Sequence, residues 1–228
     1  VFESIVSLSG AAQQALMLAA LTASSSLAFE AAVRGYRRAP PPPERGLEVT
    51  LAHTDADRLA ADALVREQYR WRGYDCSVPD AYLERHRPGH VIVAREDGRI
   101  VGTLTLGLDS RAGLLVEASH AEAVGAARAT GRRLGEVVRF AAREAADSRK
   151  VLARLFHAAH GLSSVHRLDE LFIEVNPRHV GFYRRALCFE VAAAERICPR
   201  VGAPSVLMRL PLQRLSEKIG QIELALGA

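Results

Sequence analysis

Glu136 and Arg139 stand three residues apart in an apolar run, residues 134–142. A carboxylate there can accept a proton from an attacking nucleophile, directly or through water. A guanidinium can fork onto a substrate carboxylate or fix the glutamate's rotamer. Side chains alternate along a strand, so an ideal pleat sends these two to opposite faces, and they share one cavity only across a bulge. An internal Glu–Arg ion pair fits the same spacing. Tyr183 follows Asn176 by seven positions, on a short helix beginning next to a strand end. Its hydroxyl can reach the opening beside the strand and protonate or stabilise a leaving group; a core tyrosine with a capped hydroxyl is the alternative. Asn176 and Arg178 flank that strand end, where unpaired N–H groups gather, and are candidate binding residues. Arg66, Tyr69 and Tyr74 belong to a stretch in which aromatics and arginines interleave. They either line a binding site or pack, with the arginines solvated. Ser148, Arg149 and Lys150 open a helix whose N-terminus can hold a small anion.

The elements that must position these residues are legible as alternating strands and helices. Strands are expected over residues 47–52, 91–94, 100–108, 134–142, 171–175, 189–193 and 206–210. Ala56, Leu59, Ala60, Ala63 and Leu64 form a helical stripe with Asp55 near its cap, and Val151, Leu152, Leu155, Phe156 and Ala159 form another. A short helix is expected over residues 180–187. Asp97-Gly98 marks a hairpin turn. The strand after it places Ile100, Leu104, Leu106 and Leu108 on one face. Between Leu114 and Arg132 the pattern loosens, and a loop with one short helix is expected. This order specifies a mixed α/β sheet with helices on both faces.

Around that body, residues 1–38 read as a helical extension, 39–46 as a proline-rich linker, 47–212 as the domain, and 213–228 as an amphipathic helix. The uncharged run from Ser4 to Phe29 is interrupted by Gln13, Gln14 and Ser24 to Ser26. It falls short of the about 20 mainly apolar residues of a spanning helix. A helix lying against the domain, a partner or a membrane surface is expected instead. The chain has 228 residues, 49% hydrophobic and 25% charged, which excludes wholesale disorder. Of its 30 basic residues only Lys150 and Lys218 are lysines. That bias, at a net charge of +4, speaks for genomic composition rather than nucleic-acid binding. Three cysteines without framework spacing indicate reduced thiols and a cytoplasmic protein. His157, His160 and His166 have no cysteine or carboxylate to complete a metal set, so no metal is expected.

The stretch Glu174 to Phe189 carries a specific resemblance. Asn176 ending a strand, Tyr183 seven positions on, and Phe189 closing the helix after Cys188, where glycine is usual, resemble the GNAT superfamily of acyltransferases. Pro-Arg-His after Asn176 and Phe-Tyr-Arg-Arg at 182–185 resemble the bacterial N-acyl amino acid synthases in particular. So do residues 131–139 and 199–212. The Glu136–Arg139 spacing resembles a Glu-x-x-Arg strand which that family shares with the acyl-homoserine lactone synthases.

The resemblance implies a six- or seven-stranded splayed sheet, opened between residues 134–142 and 171–175. It implies transfer of a long-chain acyl group to an amino acid's α-amino group, with Glu136 as base, Tyr183 as acid or thiolate stabiliser and Arg139 as anchor. Arg66, Tyr69, Tyr74, Asn176 and Arg178 would bind substrate. One departure matters. Coenzyme-A-binding relatives carry a glycine-rich loop whose N–H groups cradle pyrophosphate; here residues 143–148 contain no glycine. That loss fits the 4′-phosphopantetheine arm of an acyl carrier protein as donor, held at Ser148, Arg149 and Lys150, in place of coenzyme A. It fits a degenerate, non-catalytic domain equally well, and an acyl-homoserine lactone synthase is the other rival. No permanent cofactor is implied. A homodimer and a weak membrane-surface association of the N-terminal helix are compatible with the two helical ends.

Overall fold

The computed structural model describes residues 46–74, 89–143 and 148–214, with the side chains of Ser148 and Arg149 also left out. The expected helix over residues 1–38, all but the first two residues of the one over 213–228, nearly all of the linker, and most of the glycine-free stretch lie outside the described residues. Seven strands form one sheet: β1 (Glu48–Leu51), β2 (Gly89–Glu96), β3 (Arg99–Leu108), β4 (Leu134–Ala142), β5 (Glu170–Val175), β6 (Glu190–Cys198) and β7 (Ala203–Pro211). Their order is β1-β2-β3-β4-β5-β7-β6. Every neighbouring pair is antiparallel except β4 and β5.

Among the described residues four α-helices cover the sheet: α1 (Asp55–Trp71), α2 (Glu117–Ala129), α3 (Ser148–Val165) and α4 (Val180–Leu187). Alternation along the strands builds a core on each face. Ile92, Ala94, Leu171, Ile173, Val206 and Met208 pack with α3 and α4 in the larger cluster. Phe172 and Leu207, interleaved with them, pack with α2, and Val93 packs with α1. Gly102 lets α3 approach, since a Cβ there would lie 2.3 Å from the Val151 side chain.

Two expectations are corrected. Ile100 packs with Leu64 and Val65 of α1, not with Leu104. The β2–β3 register shifts between Ala94 and Arg95, and the extra residue at Val101 reverses the faces. The loose segment after Leu114 contains the 13-residue helix α2. The cap of α1 is Thr54, which forms a reciprocal capping box with Asp57; Asp55 is the first helical residue. The unusual Cys188 caps α4 in the left-handed region at φ 61°, which explains why glycine suits that position.

Candidate active site

β4 and β5 pair over three positions only, Leu134↔Glu170, Gly135↔Leu171 and Glu136↔Phe172. Beyond Glu136 the strands part: β4 stays with β3, and β5 stays with β7. The divergence is reinforced by a bulge in β4. Thr103 pairs with Ala141 and Thr105 with Val138, so Arg139 and Phe140 of β4 together oppose Leu104 of β3. Arg139 takes up the extra residue at φ 56°.

A cavity of about 220 Å³ fills the gap. One part of its wall is apolar, built from Val137, Phe140, Phe156, Ile173 and Val175. The other part is polar and aromatic, with Asp62, Arg66, Tyr69, Arg72 and Tyr74 of α1 and its C-terminal turn, Arg139 of β4, Glu174 and Asn176 at the end of β5, and Tyr183 of α4. Arg200 and Ser205, from the β6–β7 hairpin, close it.

The charges of this wall are mostly paired. Asp62 bonds Arg139 and, at 2.7 Å, Arg66. Glu174, whose side chain is 4% exposed, bonds Arg200 and accepts a hydrogen bond from Ser205 Oγ at 3.0 Å. Arg72 donates to the Gln68 carbonyl at 2.9 Å. Asn176 caps the 3-10 turn Pro177–His179, its side-chain oxygen accepting from the Arg178 N–H at 3.2 Å.

Tyr69 meets Tyr74 edge-on with ring centroids 5.7 Å apart. Burial pushes the Tyr69 phenol up to about 12. Burial likewise lifts Tyr183 above the ordinary phenol range, its ring held among Phe156, Phe182 and Phe189. His179 is pushed down to about 4 by burial, then by the guanidiniums of Arg178 and Arg72.

The structure thus brings Arg66, Tyr69, Tyr74, Arg139, Asn176 and Tyr183 to one cavity. Glu136 is not among the lining residues. Its side chain is buried, and its two carboxylate oxygens accept from the N–H groups of Leu115 and Val116, at 2.8 and 3.0 Å, at the start of α2. This is a helix cap supplied from a strand. The expectation that Glu136 and Arg139 face one substrate is corrected accordingly: the bulge is present, but it delivers Arg139 alone. Arg178 is exposed and donates to His179 rather than lining the cavity. Lys150 is exposed near the start of α3 and is not in the lining either.

The residues the sequence reading missed are Glu174, Arg200, Asp62 and Arg72. Glu174 alternates with Ile173 and Val175 along β5, yet all three line the cavity, so strand parity gave no signal for it.

A mixed sheet that splays between its one parallel pair, with helices on both faces and a cavity in the splay, defines a GNAT-type acyltransferase. Solved structures agree. An acyl-CoA N-acyltransferase from Pseudomonas aeruginosa shares the fold at TM-score 0.51 and 17% identity, covering 72% of this chain and 99% of its own. The acyl-homoserine lactone synthase LasI does so at TM-score 0.54 and 18% identity, covering 74% and 91%. FeeM, an N-acyl amino acid synthase from uncultured soil microbes, matches at TM-score 0.68 and 25% identity, over 74% of this chain and 91% of FeeM. The model of the N-acyl amino acid synthase FeeM family matches residues 60–211, and the chain belongs to that family. No curated protein matches the chain. The protein is therefore an N-acyltransferase.

Proposed function

We propose that the acyl group comes from the pantetheine arm of an acyl carrier protein and passes to the α-amino group of an amino acid. The observation that carries this reading is the cavity in the splay, lined by both apolar and charged side chains. Its apolar part suits an acyl chain, while its polar part holds carboxylate-binding guanidiniums beside a buried carboxylate. The family membership and the match to FeeM, itself an N-acyl amino acid synthase, support the same acceptor class.

In this reading the amine attacks the thioester carbonyl, the C–N bond forms and the C–S bond breaks. Holding both reactants in the splay replaces a bimolecular encounter, which supplies much of the acceleration. Glu174 takes the amine proton, because it lines the cavity and Glu136 does not. Glu136 acts at one remove by fixing the start of α2. Arg139 serves as a substrate anchor whose position Asp62 sets. Tyr69, Tyr74, Arg66 and Asn176 shape the acceptor end. Tyr183 holds its proton tightly, so it donates a hydrogen bond to the departing sulfur more readily than it gives up the proton itself.

The donor assignment rests on the stretch 143–148, which has no glycine to admit a pyrophosphate, and on Ser148, Arg149 and Lys150 after it. Steady-state kinetics with matched donors test it. Acyl carrier protein thioesters should be used far better than the same acyl group on coenzyme A, at a rate that falls as salt rises. Equal use of both donors would remove the carrier-protein reading.

A further inference from the structure

Among the described residues lining the cavity, the carboxylates are Asp62 and Glu174. Asp62 is bound by two guanidiniums, those of Arg139 and Arg66. Beside Glu174, and outside the cavity lining, lies His120. It is 1% exposed, and its Nε2 is 3.7 Å from Glu174 Oε1. Among the described residues neither ring nitrogen has a hydrogen-bond partner. The helix α2 gives up helical geometry at this one residue, with φ −133° and ψ 40°.

A buried imidazole with both nitrogens unmet costs stability, and an apolar side chain would fill the same space without that cost. A packing role therefore does not account for it. The separation from Glu174 exceeds hydrogen-bond reach by only about half an ångström, which a small side-chain rotation closes.

The neighbours of this ring are few. α2 packs on β6 and, through its apolar cluster, on β4, β5 and β7. From β4 comes Glu136, committed to Leu115 and Val116. From β5 comes Glu174, paired with Arg200 of the β6–β7 turn. From β6 comes Arg196, which donates to the Ser119 carbonyl at 2.9 Å. β7 contributes the neutral Ser205, bonded to Glu174. Burial, opposed by Glu174 and aided by Arg196, holds His120 below the ordinary imidazole value.

We infer that His120 is the proton-holding partner of Glu174, storing the first of the two protons that acyl transfer must remove from the substrate nitrogen. The inference rests on the acyl-transfer reading above. An amino acid arrives as its ammonium form, so thioester plus ammonium gives amide, thiol and one proton. Two protons leave nitrogen, and one carboxylate can hold only one at a time. The first passes through Glu174 to Nε2 of His120, making an imidazolium and restoring the carboxylate. The amine then attacks, the C–N bond forms, and Glu174 takes the second proton. That proton goes to the leaving sulfur as the C–S bond breaks. His120 returns its proton to solvent between turnovers. Acting through Glu174, it is a positioning residue of the proton path and does not touch the substrate.

The test compares the wild-type protein with His120→Gln, which keeps a polar side chain but cannot be protonated. N-acyl amino acid formation is followed by mass spectrometry from pH 5 to 9, beside thermal melting. The expected result is a kcat about 10- to 100-fold lower at neutral pH, with unchanged melting and without the wild-type fall on the acid side. A variant within twofold of wild type, with the same acid limb, overturns the relay while leaving the acyl-transfer reading intact. A wild-type protein that acylates no amino acid overturns both. Should His120→Gln not fold, the wild-type protein decides: the His120 imidazole, followed by NMR, should titrate together with the acid limb. An imidazole that stays neutral across the limb overturns the proposal.

Discussion

Two carboxylates far apart in the chain, Glu136 on β4 and Glu174 on β5, illustrate why residue type alone does not assign a role. Both are buried beside the splay, but Glu136 satisfies backbone N–H groups whereas Glu174 faces the cavity. Glutamine substitutions separate them. Glu174→Gln keeps the side chain's reach and removes proton acceptance, so kcat should fall about 100- to 10,000-fold with donor binding retained. Glu136→Gln turns an NH2 group toward a backbone donor at the start of α2. It should cost about 1–3 kcal/mol of stability, while turnover per folded molecule stays within a few-fold of wild type. Kinetics and thermal melting on the two variants check this, and a Glu136→Gln protein with normal melting but lost turnover would restore Glu136 as the base. Arg139 and Tyr183 were legible from motif spacing because each is placed by a local event, a bulge or a helix start beside a strand end. Glu174, Arg200 and His120 were not, since they meet only when β5, the β6–β7 turn and α2 are folded together.

At the scale of elements, the strands were legible because β-branched and leucine residues alternate or run continuously along them. The helix α2 was legible only as one short helix in a loose stretch. Its apolar residues are mostly alanines around a single large one, Val124, so it leaves little periodic signal while packing closely on the sheet. The bulge at Val101 was invisible for another reason: one inserted residue changes which face a side chain meets without changing composition. Glu136 also depends on a neighbour in β3. A Cβ on Gly107 would come within 2.8 Å of Glu136 Cγ. Gly107→Ala should therefore push the carboxylate away from Leu115 and Val116, destabilise the protein by about 1–3 kcal/mol and lower its melting temperature by several degrees. Differential scanning calorimetry reads this directly, and unchanged melting would show that Glu136 does not anchor α2.

For the molecule as a whole, the histidines set an acid boundary. Burial is the first cause holding His90, His120, His157, His160 and His179 below the ordinary value of 6.5. Unfolding returns them to it, so the unfolded chain binds more protons below that pH. Their contribution is intact above about 6.5 and is lost as pH falls through each folded value, last for His179 at about 4. Thermal melts between pH 7.5 and 4 should show a progressive decline over that window; a flat profile would contradict the neutral, buried state of these rings. Above that boundary stands the claim that the splay between β4 and β5 joins a carrier-bound acyl chain to an amino acid. Its most direct measurement is the accurate mass and fragmentation of what the purified protein makes from a long-chain acyl carrier protein thioester and a mixture of amino acids. The expected product is an amide at the α-nitrogen, formed with an equal amount of free carrier thiol. A lactone, an ester, or thioester consumed only by hydrolysis would contradict it.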